Sequence, residues 1–182
     1  FPYTTLFRSG HGLYFKRELG NRVPSGVLPI SFAFPREKIQ EPADKTRAIA
    51  HCVAGETHTY IYRNEADYYH GYNESLFGIT RKKEGWDCMR HYEILASRCV
   101  PWFVDLHNCP ETICTTLPKQ QLLEINKLIE THGVGQFMES DARYLYPEMN
   151  RKVFDHFLAN CTTNSLALQV VTTAQESLPT IV

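Results

Sequence analysis

The passage 75-SLFGITRKKEGWDCMRHYEILASRCVPWF-103 carries the residues that decide the fold. Leu76-Phe77-Gly78-Ile79 is an apolar run of buried-strand length. Asp87 to Ser97 has the three-and-four spacing of an amphipathic helix, and Cys99 to Val104 is a second apolar run, a strand starting near Pro101. Strand, helix, strand in this order predicts a β-α-β unit with the two strands parallel.

With Asp87 at the N-cap and about 100° per residue, Cys88, Tyr92, Leu95 and Cys99 fall on one stripe, which predicts a core-facing side. Arg90, Glu93 and Ser97 fall on the opposite face. Gly85 permits close approach of the backbone, and a helix start offers unpaired N–H groups and the positive end of a dipole. Lys82 and Lys83 add charge from the loop, so strand, glycine turn and helix start form a candidate phosphate seat at Gly85, Trp86 and Asp87. Arg90 is placed to meet a diphosphate bidentately and Glu93 to accept ribose hydroxyls one turn later. The same residues have a plainer reading. Arg90 and Glu93 would form an exposed ion pair worth a few tenths of a kcal/mol, Arg81-Lys82-Lys83 a solvated turn, and Trp86 a packing residue. Spacing alone favours this second reading.

Outward from the passage, Val27 to Phe34 predicts a Pro-containing strand, at an edge or with the proline near its start, ended by Pro35. Ala48 to Ala54 and Thr57 to Tyr62 give short β-type runs about Gly55, and Asn64 is the cap of a short helix through Tyr72. A second amphipathic helix follows Pro118, with Leu122, Ile125, Leu128 and Ile129 on one face and Gly133 past its end. Tyr144 to Tyr146 reads as a strand, Pro147 as the first turn of a helix running to about Asn160, and Thr162 or Thr163 as the cap of a last helix through Val171. The alternation predicts an α/β fold, Rossmann-like, with a mostly parallel sheet and flanking helices.

A chain of 182 residues with 43% hydrophobic content can bury a core, and its size suits one domain or one lobe of a larger protein. Nineteen Lys and Arg against twenty Asp and Glu leave a net charge of -1, so no global field attracts nucleic acid or an anionic membrane surface. No apolar run approaches the roughly 20 residues that span a bilayer. The six cysteines contain no C-x-x-C pair and are expected to be reduced thiols. The eight histidines include no H-E-x-x-H, and no metal site is expected. Phe1 to Ser9, FPYTTLFRS, resembles the translation of a common sequencing-adapter oligonucleotide and is set apart from fold reasoning. On that reading the native chain continues upstream, and neither a cytoplasmic nor a Golgi-lumenal location is indicated.

The passage, above all Arg90-His91-Tyr92-Glu93 followed by Cys99-Val100-Pro101, resembles the nucleotide-sugar-binding segment of exostosin-like glycosyltransferases of the two-lobed GT-B class. More closely it resembles a group of glycosyltransferases from algae, large viruses and marine environmental sequence with a K-K-x-G-W-D-x-x-R-H-Y-E-I-L-A signature. Tyr14-Phe15-Lys16-Arg17-Glu18, Tyr68-Tyr69, Asn108-Cys109-Pro110, Leu117-Pro118-Lys119 and Asn160-Cys161-Thr162-Thr163 agree as flanking pieces. The resemblance implies that residues 10–182 are the C-terminal, donor-binding lobe of a GT-B fold, lacking an upstream acceptor-binding lobe. It also implies that Arg90 contacts the donor diphosphate and Glu93 the ribose. The implied partners are a nucleotide sugar, a glycan or glycoconjugate acceptor and the missing N-terminal lobe. The implied reaction is sugar transfer to an acceptor hydroxyl without a metal or other cofactor. No D-x-D occurs, and no catalytic base is assigned. The chain departs from the pattern at Arg98, where a small residue, usually Gly, precedes Cys-x-Pro; a left-handed helix terminus costs Arg more than Gly.

Two other classes compete. One is a non-catalytic nucleotide or sugar-phosphate binding module. The other is a thiol hydrolase with Cys109 as nucleophile and His107 or His91 as its base.

Overall fold

In a computed structural model, residues 13–21, 23–139 and 144–177 are described. The adapter-like segment 1–9 lies outside them. The element order is β1 (Tyr14–Lys16), β2 (Val27–Pro29), β3 (Arg47–Ile49), α1 (Glu65–Asn73), β4 (Ser75–Thr80), α2 (Met89–Ala96), β5 (Val100–Phe103), α3 (Lys119–His132), α4 (Gln136–Glu139), α5 (Leu145–Asn160) and α6 (Thr163–Ser177). Strands β3, β4 and β5 form one parallel sheet in sequence order, with Ile49 opposite Phe77 and Phe77 opposite Val100. Strands β1 and β2 form a second, two-stranded parallel sheet. The chain is therefore a mixed α/β fold with small parallel sheets flanked by helices, compatible with a Rossmann-like arrangement.

The β-α-β unit β4-α2-β5 stands as its sequence predicts. Burial of Phe77, Val100 and Phe103 closes its sheet onto the core, and Pro101 lies in the edge strand β5, where a missing N–H is tolerated. Helix α2 packs against the sheet through Tyr92, Ile94 and Leu95, all nearly inaccessible. Gly78 is what lets it come so close. A Cβ there would stand 3.0 Å from both Ile94 Cγ2 and Tyr72 Cε1.

Helix α2 ends in a Schellman turn. The Cys99 N–H reaches back to the Ile94 carbonyl at 3.1 Å and the Arg98 N–H to Leu95 at 2.9 Å, with Arg98 itself left-handed at φ 53. The cost of that φ is offset by contacts that glycine lacks. Arg98 Nε donates to the Gln40 carbonyl at 3.0 Å, and its guanidinium lies 4.1 Å over the Phe154 ring. Its carbonyl accepts from Lys45 Nζ at 2.8 Å and from Asn150 at 2.7 Å.

Other expectations shift. The single strand over Val27 to Phe34 is instead β2 followed by an isolated parallel bridge from Phe34 to Thr162, because side chains take the intervening polar groups: the Phe32 N–H donates to the Asp87 carboxylate at 2.8 Å. Thr57 to Tyr62 forms no strand. Thr59 Oγ1 accepts the Val53 N–H at 2.9 Å and donates to the Glu56 carbonyl at 2.6 Å, which folds the segment into a short 3-10 turn. Tyr144 to Tyr146 is not a strand either; α5 starts at Leu145, with Pro147 in its first turn and the Tyr146 hydroxyl donating to the Leu76 carbonyl at 2.9 Å. Helix α6 begins where the Thr162 hydroxyl accepts the Ser165 N–H, and it runs past Val171 to Ser177. Among the described residues no helix is long and apolar enough to cross a membrane.

Gly78→Ala is expected to destabilise the fold by about 1–3 kcal/mol through overpacking. Denaturant unfolding would read this as a lower midpoint with an unchanged slope.

Candidate functional site

The loop from Arg81 to Cys88 carries the chain from β4 to α2, and its inner half is locked from within. Asp87 is not the helix cap; Cys88 occupies that position without a side-chain cap bond. The Asp87 carboxylate turns into the protein instead, with 5% of the residue exposed, and accepts from Phe32 N–H and Tyr92 Oη at 2.8 Å each. Burial pushes this carboxyl above its ordinary pKa, and the Tyr92 and Phe32 bonds oppose that rise. Trp86 is also buried, 6.1 Å from the Phe103 ring, with Lys82 Nζ 5.3 Å above its face.

Gly85 does admit a close approach, but the visitor is Glu18. A Cβ at Gly85 would stand 3.0 Å from Glu18 Oε1, and the same oxygen accepts the Asp87 N–H at 2.5 Å. A carboxylate of the chain thus occupies the corner that the sequence offers to a phosphate. Trp86 and Asp87 support the loop from inside, while Lys82 and Lys83 are exposed on its outer half.

Arg90 and Glu93 lie in the first two turns of α2, facing α1 and the segment after β3. They are not held by the simple surface pair considered above: Glu93 Oε2 accepts from the Tyr68 hydroxyl at 2.8 Å, while Arg90 Nε and Nη1 are buried without a hydrogen-bond partner. The Arg90 guanidinium sits 5.2 Å from the Tyr60 ring. Ser97, expected on the same face, is buried and donates to the Glu93 carbonyl at 2.9 Å. Tyr60 and Tyr68 also wall a cleft of ≈ 340 Å³ together with Cys52, Tyr62, Arg63, Asn64 and Glu65. The residues lining this cleft follow the carboxyl end of β3 and run into the start of α1, and open α/β sheets place their ligands at the carboxyl ends of strands. A larger hollow of ≈ 500 Å³ lies along the outer edge of β3, where Arg47 pairs with Glu74 at 3.0 Å.

Helical spacing places Arg90 and Glu93 on one face of α2; Tyr60 has no functional role in the sequence reading, and Glu18 enters it only within a flanking match. Tyr68 stood only as a flanking match. No local pattern marks these residues, since their roles depend on contacts with distant segments.

Among the described residues Cys109 has no hydrogen bond to His107 or His91; Cys88 Sγ instead lies 3.3 Å from His91 Nε2. His91 is fully buried between Thr80 Oγ1 at 2.9 Å and the Trp86 carbonyl at 2.8 Å, stacked 4.3 Å from Phe103. The carbonyl requires a donor, which assigns the proton to Nε2 and leaves Nδ1 to accept from Thr80. Cys109 donates to the backbone carbonyls of Pro110 and Ile113 at 3.6 and 3.9 Å, and His107 engages Asn108. All six cysteines are unpaired. Among the described residues no cluster of three or more His, Cys, Asp or Glu suits a metal ion.

Burial lowers His91 to about 4, so the folded protein holds it neutral while the unfolded chain titrates near 6.5. Its contribution is complete above pH 6.5 and is lost as pH falls toward 4, about 3 kcal/mol in all. Denaturation across this window should show wild type losing stability more steeply than His91→Gln; parallel curves would refute the assignment.

Compared with protein-family models, with curated proteins and with solved structures, the chain matches none.

Proposed function

We propose that this chain binds the nucleoside-diphosphate part of a nucleotide sugar, as the donor-binding lobe of a glycosyltransferase. The observation that carries the reading is Arg90, whose Nε and Nη1 are buried without a hydrogen-bond partner, on the helix that also carries Glu93; the tyrosines that meet these two side chains, Tyr60 and Tyr68, line the cleft. A buried donor left unmade costs about 1–3 kcal/mol, so an anion reaching this guanidinium would gain that much besides its Coulomb attraction. Glu93 Oε2 is already engaged by Tyr68, leaving Oε1 for a ribose hydroxyl. The resemblance of the Arg90-x-x-Glu93 helix and Cys99-Val100-Pro101 to exostosin-like enzymes points the same way.

In the proposed reaction an acceptor hydroxyl forms a bond to the anomeric carbon of the sugar as the bond to the diphosphate breaks. Negative charge grows on the departing diphosphate. Arg90, helped by Lys82 or Lys83 from the exposed loop, supplies fixed positive charge at that position. Asp87 and Trp86 hold the loop that carries these groups. The base that deprotonates the acceptor is assigned to the acceptor-binding lobe.

UDP or GDP at a hundredfold excess over Kd is expected to stabilise the fold by about 2.7 kcal/mol, a rise in Tm of roughly 5–10 °C at this chain length. Arg90→Ala should abolish most of the rise. Arg90→Lys should restore little, because a point charge cannot replace a planar fork. A folded sample whose Tm responds to no nucleoside diphosphate would overturn the reading.

A further inference from the structure

The tyrosine-walled cleft stops at Tyr60: the Arg90 guanidinium, 5.2 Å from that ring, is not part of its lining. Arg90 Nε and Nη1 are closed off from solvent, so something must move before an anion can touch them. The segment that covers them, Val53 to Ile61, is bonded to itself. The Glu56 N–H donates to the Val53 carbonyl at 3.2 Å, Thr59 to Glu56 at 3.0 Å, Tyr60 to Thr57 at 3.2 Å and Ile61 to Thr59 at 3.0 Å. The Gly55 N–H donates to the Tyr60 hydroxyl at 3.1 Å. All of these bonds close within the segment, as in a compact surface loop.

We propose that Val53 to Ile61 is a lid over Arg90, latched by the Gly55–Tyr60 bond, which opens as a unit to admit an anion to Nε and Nη1. The identity of that anion, a nucleoside diphosphate, rests on the reading of Arg90 given above; the opening itself does not. Both ends of the segment are anchored. Before it, the Tyr72 hydroxyl donates to the Cys52 carbonyl at 3.3 Å. After it, the Tyr62 ring stands 6.2 Å from Tyr68, with its hydroxyl against Gly71, where a Cβ would collide with it. Between the anchors little holds the segment down. Its large apolar side chains, Tyr60 and Ile61, are 38% and 57% exposed and belong to neither hydrophobic core cluster, and its buried side chains, Ala54 and Thr59, are small.

There is room for the movement. Tyr60 walls the cleft on one side of the segment, and Ile61 lines the larger hollow along β3 on the other. Segments with few buried contacts open at a small fraction of the global unfolding free energy. An anion that binds only the open form draws the population toward it, and its apparent affinity is lowered by the fraction of time the lid is closed.

Phenylglyoxal, which condenses with accessible guanidinium groups, reads the opening without any nucleotide. In the folded full chain, residue-resolved mass spectrometry should show Arg90 reacting more slowly than the exposed Arg36, at a rate nearly independent of low urea, because a local opening exposes little surface. Tyr60→Phe keeps the ring but removes the acceptor of the Gly55 N–H, and should raise the Arg90 rate by about 2–10-fold with Arg36 unchanged. Thr59→Val, which removes the hydroxyl that folds the turn, should act in the same direction. The lid is refuted if wild-type Arg90 reacts as fast as Arg36, if its rate follows global unfolding in urea, or if neither folded variant changes it. The wild-type urea series decides by itself should the variants not fold. Adding UDP separates the two claims. UDP that slows the Arg90 reaction supports both, whereas UDP without effect, on a chain whose Arg90 rate still rises in Tyr60→Phe, supports the lid and overturns the nucleotide reading.

Discussion

A single buried carboxylate sets the geometry on which the remainder depends. Asp87 binds the Phe32 backbone and the Tyr92 hydroxyl, and its own N–H is taken by Glu18. A carboxylate removed from water is costly unless its oxygens are satisfied, so these bonds are what make its burial tolerable. Three segments far apart in sequence are tied at one point: the stretch around Glu18, the chain leaving β2, and the start of α2. The next residues, Cys88 to Arg90, have little freedom left. Arg90 is therefore delivered to the Tyr60 ring by the interior of the protein, whatever its surface surroundings.

This constraint explains which parts could be read from the residues alone. The β4-α2-β5 unit was legible because run length and three-and-four spacing are local properties, as were α3 between Pro118 and Gly133 and the Pro147 turn of α5. The termination at Arg98 was flagged only as a departure from the family pattern, and its left-handed backbone is a finding of the structure. Asp87 was misread as a cap because, besides Tyr92, its partners are 55 and 69 residues away, beyond the reach of any local pattern. Tyr144 to Tyr146 looks strand-like by composition, yet Tyr146 is fixed by a contact with Leu76 and by the helix it begins.

The site divides along the same line. Helical spacing put Arg90 beside Glu93, but could not show that the opposing wall comes from the segment after β3 and from α1. Tyr60 and Tyr68 supply that wall, one against the guanidinium and one bonded to the carboxylate. Ser97 shares the face by angle alone; being next to the helix end, its hydroxyl returns to the backbone. The phosphate seat inferred at Gly85 fails to account for Glu18, whose carboxylate meets the same corner from the segment just after β1. What remains for an anion is the Arg90 side of the loop.

The most direct measurement is a crystal structure of the chain with a bound nucleoside diphosphate. The account places the diphosphate oxygens within hydrogen-bonding distance of Arg90 Nε and Nη1, a ribose hydroxyl on Glu93, and Glu18 still on the Asp87 N–H. A nucleotide bound instead in the hollow along the outer edge of β3, with Arg90 untouched beneath Tyr60, would contradict it.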